Sequence, residues 1–91
     1  MKVHELKTDP EAFYAIESGS KKFELRKNDR DFQVGDLLIL RRTDYSAAQM
    51  ILGKPLVYSG VACVREVLYV LRGPCYGLEK GLAILSIGEP A

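Results

Sequence analysis

Only one stretch of this chain reads as a helix, and every apolar run after it is bounded by turn residues. Thr8-Asp9-Pro10-Glu11 supplies a capping residue, a proline near the first helical position and a glutamate three residues after Thr8. The helix that follows is expected to run from about Pro10 to Ser18. Ala12, Phe13 and Ile16 share one face, and Gly19 is free to take the left-handed turn that ends it. From Lys22 to Lys27 the period changes to two. Phe23 and Leu25 point one way and Lys22, Glu24 and Arg26 the other, the pattern of a half-buried strand. Asn28 to Asp31 and Val34-Gly35-Asp36 carry turn chemistry, and Leu37 to Leu40 fits a strand covered on both faces. Leu56 to Leu71 is β-rich, as two strands or one bent strand with a bulge at Gly60. Gly73-Pro74 stops it, Cys75 to Gly81 forms a loop, and Leu82 to Ile87 makes a last strand. Residues 43–56 form an undecided excursion in which Tyr45 to Leu52 allow a helical turn before Gly53, Lys54 and Pro55 interrupt it. One amino-terminal helix and about five strands without long intervening helices predict an α+β chain, a small antiparallel β-barrel closed or nearly closed. A parallel α/β architecture is disfavoured, and closure would remove the free edges of so small a sheet.

The 91 residues leave room for one core, so a single domain over 1–91 is expected. At this length folding buries a little over about 60% of the unfolded chain's surface. A hydrophobic content of 47% is enough to form that core, which excludes a disordered chain. Thirteen Lys and Arg against twelve Asp and Glu give net +1, so the global basic excess of many non-specific nucleic-acid binders is excluded and any basic site is local. No apolar run approaches the length of a membrane span, and Met1 to Glu5 lack the apolar core of a signal peptide. A soluble, cytoplasmic protein without membrane contact is expected. Cys63 and Cys75 have neither C-x-x-C spacing nor a nearby histidine, which points to reduced thiols, no metal and no cofactor.

The charge is segregated along the chain. Seven cations between Gly19 and Arg42 (Lys21, Lys22, Arg26, Lys27, Arg30, Arg41, Arg42) face four acids, leaving that segment at +3 and the remainder at −2. Lysine and arginine neutralising phosphates dominate nucleic-acid affinity, so this segment suits a phosphate backbone. Composition alone is equally served by a solvated sheet face, where isolated ion pairs contribute roughly 0–1 kcal/mol.

Gly19 to Arg26 (GSKKFELR) contains the pattern G-x-K-x-x-E-x-R, and in it the chain resembles the ASCH domains of the PUA-like superfamily. The following Asn28 to Leu37, the opening His4-Glu5-Leu6-Lys7 and the closing Gly77-Leu78 to Ser86-Ile87 resemble a small bacterial and phage branch, the DUF3850 family. The resemblance spans nearly the whole chain. It implies a PUA-like pseudo-barrel with a cleft between helix and sheet that binds RNA or a nucleotide-like ligand. It also implies that Gly19 ends the helix, Lys21 stands at the cleft mouth, and Glu24 and Arg26 face the cleft. Arg26 would offer a planar fork to phosphate or a base edge, Lys21 a point charge, and Glu24 an acceptor for an exocyclic amine or for Arg26 itself. Without a ligand the same three residues form an intrastrand ion-pair group.

Some ASCH relatives are amidohydrolases acting on acetylated cytidine, with a threonine nucleophile where this chain has Glu24. A carboxylate does not replace an activated hydroxyl in acyl transfer, so hydrolysis using Lys21 and Glu24 ranks below binding. A third reading is a phage or mobile-element module whose basic segment meets an acidic protein. The binding residues expected are Lys21, Lys22, Glu24, Arg26 and Arg30, joined by His4 and Lys7 if the amino-terminal segment returns beside the motif. His4 alone is more readily a hydrogen-bonded structural residue than a catalyst. Tyr45 and Tyr76 are expected to be exposed for base stacking, and Tyr14, Tyr58 and Tyr69 to pack.

Overall fold

A computed structural model describes residues 1–91. Its elements are β1 (Val3–Thr8), α1 (Pro10–Glu17), β2 (Phe23–Lys27), β3 (Leu37–Thr43), α2 (Ala47–Ile51), β4 (Tyr58–Arg72) and β5 (Leu82–Gly88). The five strands form one sheet in the order β1-β3-β4-β5-β2, curled into a half-barrel, so the chain is α+β with two short helices. Three pairings are antiparallel, but β1 runs parallel to β3. The antiparallel expectation is corrected on this point, and so is the order of elements, because a strand precedes the helix. β1 escapes a hydrophobicity pattern since its buried face carries His4, Leu6 and Thr8, only one of them apolar. Its chain then crosses over through α1 and β2 before β3 begins, a path long enough for parallel pairing.

α1 ends where expected, at Gly19 with φ +84°, a backbone region that glycine occupies without steric cost. It also begins where expected, at Pro10, but the capping residue differs: Asp9 stands at the N-cap, while Thr8 is the last, buried residue of β1. Phe13 and Ile16 turn inward and α1 packs on β3, where Leu38 and Leu40 are fully buried. Each such leucine contributes roughly 1.5–3 kcal/mol through burial. Val67, Leu85 and Phe32 complete the middle of the core.

The excursion resolves into α2, closed by a capping box in which Ser46 Oγ accepts from the Gln49 amide and Gln49 Oε1 from the Ser46 amide. β4 is one long strand. Its register against β3 shifts between Arg41 and Thr43, opposite Gly60 at φ +90°, as a bulge there requires.

β2 is half-buried with its sides reversed from what hydrophobicity dictates. Glu24 is 3% exposed and faces inward, whereas Phe23 and Leu25 are 47% and 53% exposed on the outer face. Alternation fixes which residues share a side but not which side meets the interior. The tyrosines also depart from expectation: Tyr76 is exposed, but Tyr45 is half-buried beneath the Lys54 ammonium, and Tyr14 and Tyr69 stand out in solvent. No helix is long and apolar enough to cross a membrane.

Candidate functional site

The two edge strands, β1 and β2, are not joined by backbone hydrogen bonds, and the seam between them is bridged by arginines. Arg26, inward-facing on β2, donates from Nη2 to the Lys7 carbonyl at 2.6 Å and from Nε to Glu24 Oε2 at 2.9 Å. Arg30, in the turn after β2, donates from Nη1 to the Glu5 carbonyl at 2.6 Å. Exposed edge carbonyls are thereby satisfied by planar cations in place of a sixth strand.

At the upper end of this seam β1, α1, β2 and α2 enclose a recess of about 280 Å³. Glu24 forms its floor. The second oxygen of that carboxylate, Oε1, lies 3.5 Å from Lys21 Nζ, so the buried acid is held between a lysine and an arginine. Lys21 is fixed in turn by Gly19 ending α1 and by the Lys21 amide, which donates to the Ala15 carbonyl at 3.0 Å. Its ammonium also lies 5.2 Å from the centre of the Phe23 ring, which gives the outward-facing Phe23 a role. Ala12, Ala47 and Met50 supply apolar wall, and Lys7, Asp9 and Arg26 a polar rim. Asp9 positions the far wall: it leaves its own helix uncapped by its side chain and accepts from the Ala47 amide at 3.1 Å, which ties α2 to the head of α1. Chemically the recess offers a buried acceptor flanked by donors, with small apolar surfaces on its wall.

Of the residues named from sequence, Lys7, Lys21, Glu24 and Arg26 are brought together here. Arg30 lies further along the seam, Lys22 is exposed beside Gly19, and His4 is at the opposite end of β1. His4 Nε2 donates to Asp36 Oδ2 at 2.8 Å, and its ring meets Phe32 edge-on with centroids 4.7 Å apart. Asp36 also accepts from the amides of Lys2 and Gln33, both at 3.0 Å. Burial pushes the Asp36 carboxyl up, but the hydrogen bonds from His4, Lys2 and Gln33 and the charge of His4 more than offset it, leaving it below the ordinary carboxylate range. This cluster ties β1 to the turn before β3. Sequence reasoning missed Thr8, Asp9, Ala12, Leu25, Ala47 and Met50 as site residues. Asp9 had a signal, as an acid beside a helix start, whereas nothing local marks the others.

Burial pushes the Cys63 thiol up; Arg65 partly opposes this and Glu17, Glu89 and Glu24 reinforce it, so the thiol stays protonated at neutral pH. No group of three or more His, Cys, Asp or Glu side chains is arranged to hold a metal ion.

Comparison with curated proteins returned no match. The family model described as "Domain of unknown function (DUF3850)" matches residues 3–87, from the first residue of β1 to the penultimate residue of β5, and takes in both the seam and the recess. On that match over most of its length, the chain belongs to the DUF3850 family.

Proposed function

We propose that this protein is a PUA-like, ASCH-type module that binds RNA, or a nucleotide-like piece of it, in the recess between α1, α2 and the β1–β2 seam. The observation that carries the reading is Glu24: a carboxylate 3% exposed, at the floor of an open recess, held by two cations that retain unused donors. A buried acid satisfied only by core groups would serve stability alone. Here the Lys21 ammonium and Arg26 guanidinium also face a space large enough for a base. Glu24 Oε1, at 3.5 Å from its lysine, has capacity left to accept from an exocyclic amine. Ala12, Ala47 and Met50 give the ring faces apolar contact, and Lys7 and Lys21 meet the sugar-phosphate.

Binding is favoured over hydrolysis by the position of hydroxyls. Thr8 is the one hydroxyl side chain lining the recess; it is 2% exposed and donates to the Leu6 carbonyl at 3.4 Å rather than to a basic side chain.

The test is an NMR titration of labelled protein with short single-stranded RNA, then with cytidine and acetylated cytidine. Saturable shifts centred on Lys7, Ala12, Lys21 to Arg26 and Ala47 are expected, without product resonances from acetylated cytidine. Shifts absent from these amides with every probe would overturn the reading, and deacetylation would move the protein to the hydrolase class.

A further inference from the structure

The seam continues past the recess. A second recess, of about 270 Å³, lies where β1 faces the end of β2 and the following turn, and it shares Lys7 and Arg26 with the first. Its lining contains four cations, Lys7, Arg26, Lys27 and Arg30, against one carboxylate, Asp29. No other cavity is so charged: the first recess has three cations to two acids, the one beside Asn28 two to two, the one beside Gly88 three to two, and the one along α1 one to two. Three of the four cations, Lys7, Lys27 and Arg30, make no ion pair, and the fourth, Arg26, is committed to Glu24 through Nε alone. Arg26 and Arg30 are moreover anchored by single bonds to the Lys7 and Glu5 carbonyls, so their guanidiniums are held in place with further N–H groups to give. Leu6 and Phe32 back the site and leave it little apolar surface for a base. A pre-positioned, unneutralised concentration of donors with no ring-sized apolar wall is chemistry for phosphate.

We infer that the second recess binds the phosphodiester backbone of the nucleotides adjoining the one in the first, so that the ligand is a single-stranded oligonucleotide laid along the β1–β2 seam. This rests on the nucleotide-binding reading of the first recess and sets a minimum ligand length longer than one residue. The strand runs from Lys21 and Glu24, across the shared Lys7 and Arg26, to Lys27 and Arg30.

Fluorescence-competition affinities across a salt series test it, using an equimolar mixture of the four ribonucleoside 5′-monophosphates, a randomised RNA tetramer, and a glutamate peptide of matched charge. The tetramer is expected to bind at least about tenfold tighter than the mononucleotides and with a steeper salt dependence, since each phosphate contact on a single strand adds about 0.7 to the slope of log K against log salt. Lys27→Gln and Arg30→Gln should each weaken the tetramer several-fold and lower its slope by about 0.7, with mononucleotide affinity unchanged. Lys27 is the safeguard against misfolding, because it is exposed and its side chain makes no bond to the rest of the chain. Equal affinity for tetramer and mononucleotides, or a slope untouched by both substitutions, would overturn the inference and leave the first recess standing. Failure of every nucleotide probe to bind would remove both. A glutamate peptide that competes as well as the tetramer would reassign the surface to an acidic protein partner.

Discussion

Two carboxylates in this protein are almost completely buried, Glu24 and Asp36, and they are satisfied in different ways. Asp36 takes its hydrogen bonds from two backbone amides and a buried histidine, all fixed by the fold, and lines no cavity. Glu24 takes its bonds from two side chains about a quarter exposed, on the floor of a recess. Desolvating a carboxylate costs several kcal/mol in either place and must be offset by partners. Partners drawn from the backbone hold the acid permanently, whereas partners drawn from rim cations can be shared with a ligand. On the proposed reading, the contrast separates a buried charge that serves the fold from one that serves a site.

The largest expected effect falls on the first of these. Asp36→Ala leaves His4 and two amides without an acceptor and should cost about 3 kcal/mol or more in urea unfolding, against about 1 kcal/mol for Glu24→Gln. Equal losses for the two would break the comparison. In binding the order reverses. Glu24→Gln should weaken a nucleoside that donates an exocyclic amine by about tenfold, because the carboxamide can turn its NH₂ toward the ligand. Inorganic phosphate should then bind more tightly, since Lys21 and Arg26 lose their internal counter-charge. Nucleoside affinity that drops with no gain in phosphate affinity would show that Glu24 only positions the cations. Lys21→Gln is the smaller variant of the same test: a several-fold loss of binding, read by titration calorimetry, with stability changed by less than about 1 kcal/mol, because the Lys21 ammonium is the more distant partner at 3.5 Å and Arg26 still holds Glu24 at 2.9 Å.

How far these roles were legible in sequence follows from the range of the interactions. The helix over Pro10–Glu17, its Gly19 stop, the β-rich stretch with a bulge at Gly60 and the final strand are encoded within a few residues each, and local patterning finds them, while leaving open whether that stretch is one strand or two. The motif from Gly19 to Arg26 likewise locates one wall of the recess, and it keeps Glu24 and Arg26 on one side of β2 because that depends only on alternation. What local patterning cannot supply is which side faces in. That choice is made by β5, whose Leu85 and Ala83 lie opposite Glu24 and Arg26 on the interior side, and by the recess that accommodates two polar side chains there. β1 and its parallel pairing are hidden for a related reason: His4, on the buried face of β1, is satisfied there by the hydrogen bond that Asp36, 32 residues away, accepts from it. Ala47 and Met50 join the site through one bond from Ala47 to Asp9, 38 residues distant.

The smallest effect concerns acid, and it isolates Asp36 from every other carboxylate. Its folded pKa lies below the ordinary value of 3.8, so between the two the unfolded chain holds a proton that the folded one does not. Stability therefore rises with pH through that window: the Asp36 contribution is complete above the unfolded pKa and is lost as pH falls through the folded one. Asp36→Asn removes the titration and keeps the shape. Subtracting its unfolding free energy from that of the wild type, measured in urea from pH 7 down to pH 2, should give a difference that is flat near neutrality and shrinks toward the acid end as Asp36 protonates. A difference that stays constant to pH 2 would mean that Asp36 gains nothing from its charge in the folded state. His4 and the two amides would then act as neutral hydrogen-bond donors, and the distinction between the two buried acids would rest on geometry alone.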